Sequence, residues 1–165
     1  MKEFLVANTS IIGFVLAFIL AGITCFYKKR AFFSEVFIRY LFLIPLGVGF
    51  LFYTSFQMFY PDLWARSIGW DTSPYQVDLG FVDFASAVVA LIAVWKDYSF
   101  CLAAALMKIF IHTGLAIVRI TAIFTVQNFN VGNAGFVLTA DILTAISLAS
   151  CMMFWHHRIS LEGHH

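Results

Sequence analysis

Five ionisable side chains lie inside long apolar stretches, where a charge is costly and therefore informative. Lys108, His112 and Arg119 are spaced by four and seven residues, which places them on one face of a helix. Asp83 and Asp141 stand in two other apolar stretches. Because an isolated charge in hydrocarbon costs at least ~2.5–3.5 kcal/mol, opposite charges are expected to pair there. We therefore predict an ionic cluster of Arg119, Asp83 and Asp141 that faces the interior of a helical bundle.

The depth of each charge follows from the helical rise of about 1.5 Å per residue. Asp83 is expected roughly 13 Å from the start of its helix, and Arg119 and Asp141 roughly 10–12 Å from the outer ends of theirs. His112 falls near the middle of the membrane, where we expect a hydrogen-bonding residue and not a haem or metal ligand. Lys108 has no acidic partner at its depth, so we expect it to extend toward the membrane surface or to contact an anionic lipid head group.

Composition sets the protein class. Of the 165 residues, 62% are hydrophobic and only 12% are charged, about half the charged fraction of a soluble domain. Five apolar segments approach the roughly 20 residues that cross a bilayer. We predict an all-α, polytopic membrane bundle of about five transmembrane helices, forming a single domain over residues 1–160. The segments are expected near residues 4–26, 36–60, 74–95, 100–126 and 134–155.

Charge and residue spacing also exclude several functions. A net charge of +1 leaves no basic face for nucleic acid. Cys25, Cys101 and Cys151 show neither metal-ligand spacing nor a disulfide framework, and we predict no metal, no cofactor and no catalytic residue. Residues 161–165 resemble the remnant of an expression tag. Proline and glycine at Pro45 and residues 47–49 predict a kink or close helix packing in the second segment.

The charges of the connections predict an orientation. One side of the membrane receives the larger basic set, and the other side receives only Lys2 and Arg66. By the positive-inside rule the N-terminus is outside and the C-terminus is cytoplasmic. A signal peptide is the alternative for the first segment, but here the basic residues follow the apolar run instead of preceding it. The larger set consists of Lys28, Lys29, Arg30, Lys96 and Arg158.

Residues 68–83, reading IGWDTSPYQVDLGFVD, join an aromatic loop to the third helix. We predict a capping box, in which the Ser73 hydroxyl accepts from the Gln76 N–H and the Gln76 side chain reaches back to Ser73, with Pro74 at the first helical position. Asp78 is then expected close to the positive end of the helix dipole. Trp70 belongs to a loop rich in aromatic residues, as is typical of a membrane–water interface.

These residues carry a resemblance to a known family. The run from Ile68 to Gly80 resembles the pattern I-G-W-x-x-S-P-[FY]-Q-x-[ED]-x-G of a family of small bacterial integral membrane proteins of unknown function. The run from Asn130 to Gly135, followed by Asp141, resembles its second motif, an Asn-Ala-Gly turn and an aspartate in the last helix. The resemblance covers roughly residues 36–150. It implies a multi-pass protein of the bacterial inner membrane and carries no established activity.

Three functional hypotheses remain open on these residues. The favoured one is a protein that binds a small molecule or lipid at the polar cluster, beneath the outer loops. The second is a structural or accessory subunit whose buried ion pairs only fix helix packing. The third, an enzyme using His112 and an aspartate, is least favoured because His112 is expected too deep to meet either carboxylate. The expected partners are membrane lipids, and transport would require a homo-oligomer because five helices are too few for an inverted repeat. The candidate ligand-binding residues are Trp70, Gln76, Asp78, Asp83, His112, Arg119, Asn133 and Asp141.

Overall fold

The computed structural model describes residues 2–29 and 32–162 and is all α-helical over its long elements. Five helical stretches are long and apolar enough to cross a membrane: Thr9–Tyr27, Phe33–Phe59, Tyr75–Ala93, Tyr98–Val126 and Val131–Glu162. This confirms the predicted all-α architecture with five helices of membrane-spanning length. Arg30 of the predicted basic cluster and residues 163–165 of the predicted tag lie outside the described residues.

Nine helical elements of unequal length make up the described part of the chain. The elements are α1 (Lys2–Tyr27), α2 (Phe33–Leu43), a π-helical segment (Ile44–Gly49), α3 (Phe50–Phe59), α4 (Pro61–Ile68), α5 (Tyr75–Ala93), α6 (Tyr98–Val126), α7 (Val131–Ala134) and α8 (Phe136–Glu162). Short α4 and α7 belong to the two connections at one end of the bundle. The last helix continues about two turns beyond its predicted end at residue 155.

The second span is interrupted where the proline and glycines predicted a kink. Pro45 lies in the π-helical turn because its ring removes one backbone donor and crowds the preceding turn. Gly47 is packed so closely that an added Cβ would lie 2.4 Å from Leu91 Cδ2 on α5. Both predicted consequences, the irregular helix and the close packing, are therefore present together.

An apolar core fills the end of the bundle near the 28–32 and 94–97 connections, and we call it the apolar half. Its side chains come from α1, α2, the π-helical segment, α5, α6 and α8 and include many alanines, which let these helices approach closely. An Arg158–Glu35 ion pair of 3.0 Å joins α8 to α2 at its margin. The members buried to 1% exposure or less include Ala17, Ala21, Leu41, Phe42, Ala90, Ala105 and Leu148.

The other end, which we call the polar half, is closed by the two connections that carry α4 and α7. Asn128 Nδ2 donates to the carbonyl oxygen of Ile68 at 2.9 Å, which ties the end of α6 to the end of α4. Gly69 has a left-handed φ of +74°, and an added Cβ there would lie 2.0 Å from Asn130 Nδ2. The two connections form one continuous cap over the polar half.

Candidate functional site

A cavity of about 330 Å³ lies in the polar half, between α3, α4, α5 and α6. It exists because α5 packs mainly on α3, whereas α6 packs mainly on α8, so α5 and α6 separate beyond their short connection. Tyr53 and Trp64 form part of its wall, with ring centroids 3.9 Å apart in an edge-to-face contact. Most of the remaining wall is aliphatic or aromatic.

Four polar side chains face this apolar cavity: Gln57, Gln76, Asp83 and Arg119. All four are at least nine-tenths buried. Gln57 Oε1 and both amide atoms of Gln76 have no hydrogen-bond partner among the described residues. A buried polar atom left unpaired costs about 1–3 kcal/mol, so these amides are sites where a ligand group would bind favourably.

Arg119 is fixed from behind the cavity by α8 and α7. Its Nε donates to Asp141 Oδ2 at 2.9 Å, and its Nη1 donates to the Gly132 carbonyl oxygen. Asn133, only 1% exposed, donates from Nδ2 to the Arg119 carbonyl oxygen at 3.2 Å. The Tyr53 hydroxyl lies beside the same guanidinium. One face of Arg119 is thus held in a rigid network and the other lines the cavity.

The predicted cluster of Arg119, Asp83 and Asp141 forms only in part. Arg119 pairs with Asp141, but no ion pair within 4 Å involves Asp83 among the described residues. Asp83 instead faces Gln57, and Lys108 is the cation that interacts with it most strongly. Among the described residues, the Arg119–Asp141 ion pair therefore replaces the expected triad, and Asp83 lies apart from it on the cavity wall.

The expectation for Lys108 is wrong, whereas His112 is a hydrogen-bonding residue as predicted but lies at a different height from the one expected. Lys108 is completely buried, and its Nζ donates to Ser86 Oγ at 2.8 Å and lies 3.7 Å from the centre of the Phe50 ring. It therefore reaches neither the membrane surface nor a lipid head group. His112 Nδ1 lies 2.8 Å from Asp141 Oδ1, so it is not too deep to meet an aspartate. The estimate from residue counts fails because Asp141 contacts both His112 and Arg119, which lie about two turns apart on α6.

The predicted capping box is wrong as well. The helix begins at Tyr75, and the Ser73 hydroxyl accepts from the Tyr75 N–H at 3.4 Å instead of the Gln76 N–H. The Gln76 N–H donates to the Ser73 carbonyl oxygen at 3.1 Å. The Gln76 side chain does not reach back to the cap, because it is buried and turned into the cavity. Asp78, two residues after Gln76, is exposed and does not line the cavity.

The eight predicted ligand-binding residues therefore divide into three groups. Four of them line the cavity: Trp70, Gln76, Asp83 and Arg119. Three support Arg119 from behind, namely His112, Asn133 and Asp141. Asp78 belongs to neither group.

Sequence reasoning missed Gln57 and Tyr53. Gln57 was the detectable one, since an amide near the end of an otherwise apolar segment is itself a polar residue that needs a partner. Among the described residues, no group of three or more His, Cys, Asp or Glu side chains could hold a metal ion.

A comparison with known protein families gives a match that includes all the residues of the site. A model of a family of unknown function (DUF6790) matches residues 7–160. The chain belongs to this family. No curated protein and no solved structure matches the chain. The family match extends from the first span to the last, so the cavity and every residue around it lie within the DUF6790 region.

Proposed function

We propose that this chain is an integral protein of the bacterial inner membrane that binds a small molecule or lipid in the cavity of its polar half. The N-terminus lies outside and the C-terminus in the cytoplasm, with membrane lipids as partners. The connections at Lys28, Lys29 and Lys96 support this orientation, because they lie at the same end of the bundle as Arg158.

The unpaired Gln76 amide, together with the unpaired Oε1 of Gln57, is the observation that carries the proposal. Ligand pockets are typically apolar with a few convergent polar groups, and this cavity has that form. A protein that needed Gln76 only for packing would pair its amide or replace it with an apolar residue, since an unpaired amide destabilises the fold. The amide is favourable if a ligand completes its hydrogen bonds.

A structural or accessory subunit is the second candidate, and a different observation favours it. Arg119, Asp141 and His112 form a hydrogen-bonded network between α6 and α8, as expected of side chains that fix helix register, in which only His112 Nε2 has no partner among the described residues. This network lies behind the cavity, so it explains Arg119 and Asp141 but leaves Gln57 Oε1 and the Gln76 amide unexplained. Ligand binding accounts for both observations.

For an enzyme, His112 and Asp141 are close enough to share a proton, but His112 does not line the cavity where a substrate would bind. The pair is 2.8 Å apart, within the range for proton transfer between a base and its partner. Among the side chains around the cavity, however, His112 is not one that lines it. We therefore assign the pair to the support of Arg119.

Native mass spectrometry of the protein released gently from detergent tests the proposal. We expect a reproducible additional mass on the wild-type protein that is lost in Gln76→Leu and retained in Lys29→Ala, a matched change at an exposed connection. The same spectra report the oligomeric state. An oligomer or monomer free of any additional mass, in wild type and both variants, would overturn ligand binding and leave the structural subunit.

A further inference from the structure

The rim of the cavity lies on the outward surfaces of α5 and α6. Leu79 and Val82 on α5, and Phe110 and Val118 on α6, all line the cavity and are also exposed, Val82 by 59% and Phe110 by 74%. In a protein that spans a membrane, such apolar exposed surfaces at this depth contact hydrocarbon. The cavity is therefore open toward the acyl chains of the bilayer, between α5 and α6.

A glycine marks the centre of this opening. Gly114 lines the cavity, and an added Cβ would meet no atom within 4 Å. It stands between Phe110 and Val118 at steps of four residues, so the three share one face of α6. The absence of a side chain there keeps the passage between α5 and α6 clear.

The polar groups at the inner end of the cavity favour an uncharged head group. The charge of Arg119 is already compensated by Asp141, and the Asp83 carboxylate faces the same space. A phosphate or carboxylate head would meet Asp83 as a like charge, which is unfavourable in a site of low dielectric constant. The free Oε1 of Gln57 is an acceptor, and the free amide of Gln76 offers both a donor and an acceptor, which suits hydroxyl groups.

We propose that the ligand is a membrane amphiphile with a neutral, hydroxyl-bearing head group that enters sideways between α5 and α6. This inference rests on the proposed function, because it names the ligand class and route for the same cavity. A volume of about 330 Å³ is near the lower end of small-molecule pockets. It accommodates the head group and the adjoining carbons, while the rest of the chain remains among the lipids.

Two equally buried tryptophans make the route measurable. Trp64 lines the cavity and Trp155 is packed in the apolar half, and each is 5% exposed. We would prepare one protein with Trp64 and one with Trp155 as the only tryptophan, the others being replaced by Phe. Each is placed in phosphatidylcholine nanodiscs that contain a dibrominated monoacylglycerol, whose bromine atoms quench a tryptophan only at close contact. We expect at least twofold stronger quenching of Trp64 than of Trp155.

A matched pair of glycine substitutions tests the opening itself. Gly114→Leu fills the passage, whereas Gly22→Leu on α1 also adds a side chain where no atom lies within 4 Å of the new Cβ. We expect Gly114→Leu to reduce the quenching of Trp64 to the level of Trp155, and Gly22→Leu to leave it unchanged. If the single-tryptophan proteins fail to fold, the two substitutions are compared in the wild-type background by the mass of bound monoacylglycerol.

The outcomes separate this inference from the proposed function. Equal quenching of Trp64 and Trp155 would overturn access from the bilayer; if the Gln76-dependent mass then persists in native spectra, binding stands and the ligand arrives from water. Equal quenching of Trp64 by dibrominated phosphatidylglycerol and by the monoacylglycerol would overturn the neutral head group. Loss of both the mass and the quenching would overturn the two proposals together.

Discussion

The two halves of the bundle use opposite ways of holding the same helices. In the apolar half, alanines and large aliphatic and aromatic side chains fill the space between six elements. In the polar half, the helices separate, and charged and amide side chains occupy the interface around a cavity. Within a membrane, apolar surfaces gain little from burial against each other, so close packing carries the first half and polar contacts carry the second. The difference shows why the cavity lined by buried polar side chains lies in the polar half.

α6 contributes to both halves and shows the change residue by residue. Ala104 and Ala105 pack in the apolar half, Lys108 and His112 follow near the middle, and Arg119 lies in the polar half. Lys108 interacts with the carboxylate of Asp83, and Arg119 pairs with that of Asp141. The polar half is therefore electrically balanced without a ligand, which is why we expect a neutral one.

The largest effect is expected from removing Arg119. Arg119→Leu leaves Asp141 buried without its guanidinium, and breaking a buried ion pair in this way costs about 3–5 kcal/mol. The measurement is the free energy of unfolding in mixed detergent micelles. The double variant Arg119→Leu, Asp141→Leu removes both charges and should recover most of that loss.

A second double variant distinguishes the observed pairing from the triad that the sequence suggested. Arg119→Leu, Asp83→Leu should lose the sum of the two single losses, because these side chains do not pair directly. A recovery with Asp83 equal to that with Asp141 would contradict the geometry of the site.

The next effect contrasts truncations in the two halves. Leu148→Ala in the apolar half opens a void among fully buried neighbours, and we expect a loss of about 2 kcal/mol in the free energy of unfolding. Leu115→Ala removes the same atoms from a half-buried side chain that already lines the cavity. It should cost less than half as much, measured in the same micelles. Equal losses would mean that the two halves are packed alike.

A smaller effect tests the close contact between the kinked second span and α5. Gly47→Ala would place its Cβ 2.4 Å from Leu91 Cδ2 and 2.6 Å from the Phe42 carbonyl oxygen. Such overpacking costs about 1–3 kcal/mol. Gly22→Ala is the control, since its Cβ would meet no atom within 4 Å. The melting temperature should fall for the first variant only, and an unchanged value for both would rule out tight packing at Gly47.

Composition and periodicity were enough to predict the spans, because each depends on the local run of apolar residues. Pro45 likewise predicted the irregular turn, because the missing N–H and the ring of proline act on the adjacent helical turn. The pairing of charges was beyond such reasoning. Whether Arg119 meets Asp83 or Asp141 depends on how α5, α6 and α8 are rotated about their axes, which is set by packing between distant segments.

Gln76 also shows that a local sequence pattern can predict the wrong contact. Its spacing from Ser73 fitted a capping box, and a capping box would have been satisfied locally. The helix instead begins at Tyr75 and the side chain turns inward. A local pattern therefore pointed to a structural role, and only the three-dimensional arrangement shows the amide facing the cavity.

The smallest effect on stability is expected at Gln76 itself, and the comparison with Thr54 makes it informative. Both residues are buried in the polar half, but Thr54 Oγ1 donates to the Gly80 carbonyl oxygen at 2.9 Å, whereas the Gln76 amide has no partner among the described residues. Thr54→Val should therefore lower the free energy of unfolding by about 1 kcal/mol. Gln76→Leu should leave it unchanged or raise it by up to about 1 kcal/mol in ligand-free micelles, since an unpaired polar group is removed. A loss at Gln76 as large as that at Thr54 would mean that its amide supports the fold, and the cavity would then be a consequence of packing and not a binding site.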